Sequence, residues 1–385
     1  MHPALYRPLS LVFRTPPYII LFASDRCWLR CRHCWYTDRW KRAHLTGPRL
    51  TFDELERLAG SLDRVAFLTF AGGEAFRRPD LVELALMFHG KARFSRYDVP
   101  SSGFDTDQVV SQTAGLLERL PGVPLRVSIS LDGTEATHDH IRGVSGAYRN
   151  ALRSVAALRR LAQRHDHFDV SVLTTISRHN QDQLREISGV VRRINPGGEW
   201  MVNLARGISR DPAAVEVDPD RYFEAHRIIE QWQHNGSYRG HRGHRGSSWI
   251  SAKNATRREV IRRILAQREP GGGCAAGTLV GVISVDGTVS PCEMLELPLG
   301  NLRSHDMDLA ALWRSPAAQR ARAWIHASRC ICTHECFLSI SLLLQPRHWP
   351  TLIKQRIKLQ RSQSLLLTDS LRRASRWRSG RGSRR

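Results

Sequence analysis

No cysteine occurs in the 239 positions between Cys34 and Cys274. The chain's eight cysteines therefore fall into two groups, three within eight residues near the start and five between Cys274 and Cys336. Clusters at short spacing in a reducing compartment speak for metal ligation and against a disulfide framework. Long apolar runs are lacking as well. Tyr18–Ala23 and Leu338–Leu344 are among the longest, and both are far too short to span a bilayer. The opening MHPALYRPLSLVFRTPP is broken by prolines and has no continuous apolar segment before a small-residue cleavage site. That pattern predicts no signal peptide and a cytoplasmic location.

Acidic residues are scarce beside basic ones, at 36 against 58, which gives a formal net charge of +22. The imbalance is steepest at the end, where Asp369 alone faces 11 Lys/Arg between Ile353 and Arg385. Such a tail attracts nucleic acid, an anionic membrane surface or an acidic partner, or it is a solvated and partly disordered segment. A length of 385 residues, with 41% hydrophobic and 24% charged residues, belongs to a globular protein. It is enough for one large domain with an appendage or for two domains.

What is present is a long alternation of strand and helix signals. YIILFAS (Tyr18–Ser24) reads as a buried strand that ends at the first cysteines. Thr51-Phe-Asp-Glu54 is a capping box opening a helix, and VAFLTF (Val65–Phe70) is a second strand ending at Gly72-Gly73-Glu74. Helices over 79–90, 107–120, 146–164 and 181–194 alternate with strands at 94–100, 125–131, 169–176 and 199–205. Six such units predict a parallel sheet with right-handed crossovers, either doubly wound or a partial (β/α)6 TIM barrel. The chemically useful residues follow strands, at Cys27–Cys34, Gly72–Glu74, Ser101–Gly103 and Asp132–Gly133. Both architectures place their sites at those carboxyl ends.

The spacing Cys27-x3-Cys31-x2-Cys34 puts three thiolates on one short loop. Three cysteines hold three irons of a cubane and leave the fourth iron open; a closed zinc site with His33 or His44 as fourth ligand is the alternative. The text CWLRCRHCW, just after a first strand, resembles the hallmark of the radical S-adenosylmethionine (SAM) superfamily. Gly72-Gly73-Glu74 resembles that family's GGE motif, and SISLDG (Ser128–Gly133) with HDHIRG (His138–Gly143) resembles the fourth-strand region of its peptide-modifying branch. The resemblance covers roughly Tyr18 to Ala205. It implies a [4Fe–4S] cluster on Cys27, Cys31 and Cys34, and SAM bound with its amino group at Gly72, Gly73 and Glu74. By the same resemblance His33 lies near the adenine, Ser130 contacts the ribose or carboxylate, and Arg142 pairs the carboxylate. An ordinary surface ion pair is the competing role for Arg142. Ala75 and Ser101-Ser102 depart from common family usage, which has proline and Asn-Gly there.

A glycine-rich stretch at 235–248 and a break at Pro270-Gly-Gly-Gly273 precede the second group of cysteines. TLVGVISV, a turn at Asp286-Gly287 and TVSPC form a β-hairpin signal, and 309–325 reads as one helix leading to Cys330, Cys332 and Cys336. Cys274-x12-Gly287-x4-Cys292 and Leu299-Gly-Asn-Leu302 resemble the opening of the SPASM and twitch domains, appendages that carry auxiliary iron–sulfur clusters. Five cysteines suit one auxiliary [4Fe–4S] cluster, held by Cys274, Cys292 and two of Cys330, Cys332 and Cys336. Zinc, and His334 as a ligand, are the alternatives there.

The expected organisation is an extension at 1–17, a radical SAM partial barrel at 18–233, a linker and helix at 234–270, a SPASM/twitch-like domain at 271–340 and a basic tail at 341–385. The expected activity is reductive cleavage of SAM and hydrogen abstraction from a peptide or small metabolite. A reductant such as flavodoxin or ferredoxin is the expected partner. Only 26 residues precede Cys27, which speaks against a self-contained peptide recogniser ahead of it. Asp105, Asp132, His138 and His140 are acid–base candidates that the sequence does not rank. A different class of function is a metal-stabilised nucleic-acid-binding protein using RGHRGHRG, Tyr238, Trp377 and the arginine-rich tail. Leu342–Leu359 combines apolar, tryptophan and cationic residues, as helices do that lie on a membrane surface or dock as a terminal helix.

Overall fold

YIILFAS forms strand β1 (Tyr18–Ser24), and all seven of its residues are buried. A strand covered on both faces reads as a continuous apolar run, which is why this segment does not alternate. The computed structural model describes residues 13–63, 65–234, 247–267, 274–328, 330 and 332–360. Within them the chain forms two compact units, one of Met1–Gly240 with Cys274–Cys330 and one of His241–Gly273 with Ile331–Arg385. The arginine–glycine loop at 235–246, the glycine-rich break at 268–273 and the tail beyond 360 lie outside the described residues.

In the first unit, β1 is followed by α1 (Asp38–His44), α2 (Phe52–Ser61) and β2 (Phe67–Gly72). The chain continues through α3 (Leu81–Ala92), β3 (Tyr97–Ser101), α4 (Thr106–Arg119) and β4 (Leu125–Ser130). It then runs through α5 (Glu135–Arg142), α6 (Ala147–Ala162), β5 (Phe168–Ile176), α7 (Leu184–Ile194), β6 (Glu199–Leu204) and α8 (Pro219–His234). Strands β1 to β6 pair in sequence order and all in parallel, with helices in the crossovers. This is the expected partial (β/α)6 barrel. Among the described residues no helix is long and apolar enough to cross a membrane.

The sheet does not stop at β1. Strand β7 (Val280–Ile283) pairs with it in parallel, Tyr18 opposite Val280, and β8 (Thr288–Ser290) and β9 (Gly300–Asn301) extend the sheet antiparallel. The cysteine-bearing hairpin thus continues the barrel sheet, in the order β6-β5-β4-β3-β2-β1-β7-β8-β9. Where one helix was expected over 309–325, two form, α10 (Leu309–Arg314) and α11 (Pro316–Ala327). Ser315 accepts from the Ala318 amide and Pro316 takes the first helical position, so the chain restarts there.

The second unit contains α9 (Ser247–Gln267), α12 (Glu335–Leu344) and a helical stretch over 349–360, α13. Helices α9 and α12 pack together, and Arg257 Nη1 donates to Ser339 Oγ at 2.9 Å. A short turn at Pro346–His348 separates α12 from α13. The segment 342–359 is therefore two helices meeting at a bend.

Candidate active site

Cys27, Cys31 and Cys34 lie on the loop between β1 and α1, and backbone hydrogen bonds fix that loop from three directions. The Gly73 and Glu74 amides donate to Ser24 O and Arg26 O, at 2.7 and 2.8 Å. The Arg30 and Arg32 amides donate to Arg142 O and Ile141 O at the end of α5, at 3.0 and 2.8 Å. After β6, the Arg210 and Asp211 amides donate to Cys34 O and Arg32 O, at 2.9 and 2.8 Å. Leu29 and Cys31 of the loop form a buried apolar cluster with Ala147, and Trp28 and Phe104 pack against it.

The glycines of the turn after β2 are required by this approach. A Cβ on Gly72, whose φ is +110°, would lie 2.2 Å from Ser24 O, and one on Gly73 would lie 2.4 Å from Arg26 O. Any side chain there would push the cysteine loop off the sheet. Glu74 follows, 2% exposed. Its Oε2 accepts from the Ser102 amide and hydroxyl, at 2.9 and 2.6 Å, while the buried Oε1 has no partner. Burial raises the Glu74 carboxyl above its ordinary value, against the pull of Ser102. A buried carboxylate with one unused oxygen is a receptor for a cationic donor. Ser102 as its partner was not foreseen; the only sequence signal was the Ser-Ser-Gly text at the end of β3.

Beside Cys31 lies a group of buried polar residues. Arg142 reaches Cys31 Sγ with Nη1 at 3.5 Å and Asp132 Oδ2 with Nη2 at 2.5 Å. His33 Nε2 is 3.9 Å from the same oxygen. The Thr175 amide donates to Asp132 Oδ1 at 2.9 Å, and the Asp132 amide donates to His138 Nδ1 at 2.9 Å. The amide bond fixes the neutral tautomer of His138 with its proton on Nε2. Burial, the largest single influence, would raise Asp132, but Arg142, His33, His138 and the Thr175 amide together hold the carboxyl below its ordinary value. Burial pushes His33 and His138 down to about 4. The ion pair leaves Arg142 engaged within the protein, with its Nε still unpaired. Ser130 ends β4, half-buried. Of the acid–base candidates, Asp132 and His138 join this group. His140 meets His179 edge-to-face at 5.7 Å, and Asp105 caps α4 by accepting from the Gln108 amide.

Met294, two residues after Cys292, reaches the same region. A Cβ on Gly207, in the loop after β6, would lie 3.0 Å from Met294 Sδ and 3.5 Å from Trp35 Cβ. His44 is occupied away from the cysteines: it stacks on Trp40 at 4.3 Å, and its Nε2 is 3.6 Å from Glu296. A local geometry recurs at four cysteines. The amide two residues on donates to the sulfur of Cys27, Cys274, Cys292 and Cys332, at 3.4, 3.4, 3.3 and 3.2 Å. Cys274, Cys292 and Cys330 belong to the first unit and Cys332 and Cys336 to the second. His334 is 7% exposed, with its ring 4.4 Å from that of Phe337.

The radical SAM superfamily model matches residues 21–188, and the SPASM model, an iron–sulfur cluster-binding domain, matches residues 274–337. The chain carries a radical SAM domain and a SPASM domain. It is 26% identical over 336 residues to the AdoMet-dependent heme synthase of Nitratidesulfovibrio vulgaris, covering 81% of this chain and 83% of that protein. The heme synthase of Methanosarcina barkeri is 25% identical over 72% of this chain and 76% of its own length. The sporulation killing factor maturation protein SkfB of Bacillus subtilis is 25% identical over 77% of this chain and 65% of its own length. The structure of anSMEcpe with bound AdoMet superposes with a TM-score of 0.59 over 92% of this chain and 96% of that one, at 15% identity, a likeness of fold.

A radical SAM domain implies a [4Fe–4S] cluster and SAM, and a SPASM domain implies further iron–sulfur clusters. The donors of the first loop fit that requirement. Burial pushes the Cys27 thiol up to about 12, with the nearby Glu74 adding to the rise. It pushes Cys34 up to about 11 and raises Cys31 as well, against Arg142. A metal bound to these three sulfurs would supply the charge that compensates their ionisation.

Proposed function

We propose that this enzyme cleaves SAM reductively and abstracts hydrogen from an organic substrate, a peptide or a small metabolite. When bound on Cys27, Cys31 and Cys34, the cluster supplies the electron that releases a 5′-deoxyadenosyl radical from SAM. The observation that carries the reading is Glu74, buried beside the cysteine loop with Oε1 unused. That oxygen would accept from the amino group of SAM, and Gly72 and Gly73 let the cysteine loop lie close against the turn that carries Glu74. Ser102 fixes the carboxylate in place. The Arg142 guanidinium, held by Asp132, would present its unpaired Nε–H to the SAM carboxylate, with Ser130 contacting the ribose or carboxylate and His33 near the adenine.

The names of the relatives span heme synthesis and maturation of a sporulation killing factor, which supports a peptide or a small metabolite, tetrapyrroles among the latter, as substrate. Cys274, Cys292 and Cys332 share the amide-to-sulfur geometry of Cys27. We assign Cys274 and Cys292 to one auxiliary [4Fe–4S] cluster, completed by two of Cys330, Cys332 and Cys336. A flavodoxin or ferredoxin is the proposed electron donor. The test is anaerobic incubation of the reconstituted enzyme with SAM and dithionite, read by chromatography. 5′-Deoxyadenosine is expected, and a Glu74→Gln enzyme with the same iron content should form it at least tenfold more slowly at low SAM. No 5′-deoxyadenosine from enzyme with its clusters intact sinks the reading.

A further inference from the structure

Helix α13 turns an apolar stripe outward. Trp349, Ile353 and Ile357 are 49%, 46% and 44% exposed, whereas Leu352 on the same helix is 2% exposed. Residues four apart drift by only about 40° around a helix, so these three share one face. Lys354 and Lys358 are exposed about 100° further round, on one flank of the stripe. On the other flank the Arg356 guanidinium lies 4.4 Å over the ring of Trp249, which is itself 38% exposed. From Phe337 to Thr368 the chain has no acidic residue and carries Arg347, Lys354, Arg356, Lys358 and Arg361.

We propose that α13 is a membrane-surface anchor that lays Trp349, Ile353 and Ile357 into the headgroup–acyl boundary of an anionic bilayer. Two exposed isoleucines with tryptophans at their margin match an acyl boundary, whereas phosphate backbones and bases offer aliphatic side chains little. A second copy of the chain fits poorly. A two-fold contact through this stripe would bring identical cationic flanks together with no acid between them. An anionic leaflet takes up the apolar stripe and both cationic flanks at once. The basic segment that continues beyond α13 adds charge of the same sign.

The experiment is co-sedimentation of the full chain with sucrose-loaded vesicles of phosphatidylcholine, with and without one-third phosphatidylglycerol. Recovery with the anionic vesicles, falling as salt rises, is expected. Ile353→Ser with Ile357→Ser should weaken partitioning at least tenfold with an unchanged circular dichroism spectrum. Lys354→Gln with Lys358→Gln should weaken it about 25-fold at low salt, about fivefold for each lysine. Equal recovery of the full chain with and without anionic vesicles overturns the proposal, as does a serine pair that binds as well as the parent. A parent dimer in light scattering that the serine pair dissociates without lipid also overturns it, in favour of a second copy. If the serine pair does not fold, the lysine pair decides, and undiminished binding by it is equally fatal.

Discussion

Asp132 is the residue where the buried charges of the site meet: Arg142 and His33 approach one carboxylate oxygen, Thr175 binds the other, and its own amide holds His138. The sequence marks Asp132 as one acid among several, and a motif resemblance singles out Arg142. That the two belong to one another is not legible locally, because their contact depends on where α5 ends relative to β4. His138 gives the group a pH signature. Its ordinary value of 6.5 falls to about 4 on folding. The unfolded chain therefore takes up the proton first, and the stability His138 contributes is complete above pH 6.5 and is lost as pH falls toward 4. A His138→Asn variant keeps an acceptor for the Asp132 amide but binds no proton. Its urea midpoint should fall less steeply than the parent's between pH 6.5 and 4. Parallel slopes would mean that His138 titrates at its ordinary value in the fold.

Among the elements, α2 shows how much a local signal conveys and where it stops. The Thr51–Glu54 capping box is legible in four letters, and the structure contains it. Glu54 has a second use 249 positions away, accepting from Arg303 Nε and Nη2 at 2.6 and 2.8 Å. Arg303 also donates to Pro48 O and Asp286 O, at 3.0 and 3.2 Å, and so joins the turn after β9 to the segment ahead of α2. The Arg303 bonds hold the Glu54 carboxyl down at about 2. Their contribution is therefore present above the ordinary value of 4.5 and disappears as pH falls toward 2. Glu54→Gln should cost about 1 kcal/mol in denaturant unfolding at pH 7, and markedly less at pH 2.5, where the parent carboxyl is itself partly protonated. A loss equal at both pH values would show the effect to be steric. Helices α1 and α5 are short, with too few turns to display a periodicity, and the α10–α11 break is written only in Ser315-Pro316.

For the molecule as a whole, the six-unit alternation and both cysteine groups are legible because each repeats a local pattern: apolar run, helix period, thiol spacing. The junction of the hairpin with the barrel is not, since a hairpin signal says nothing about the next strand over. The ligand assignment is tested by iron and sulfide analysis of anaerobically purified protein. About eight irons per chain are expected, and about four after Cys292→Ser, with the cluster on the first loop retained. Eight irons in that variant would remove Cys292 from the assignment.

The pairing of β1 with β7 also constrains how the chain is made. Tyr18 and Val280 lie about 260 positions apart. At roughly 5–20 residues per second, a ribosome needs on the order of 10–50 s to supply the second after the first. Through that interval β1 presents an unpaired edge to its surroundings, directly below the loop that receives iron. Through that time the free edge is open to wrong strand partners, and pairing with β7 ends the exposure.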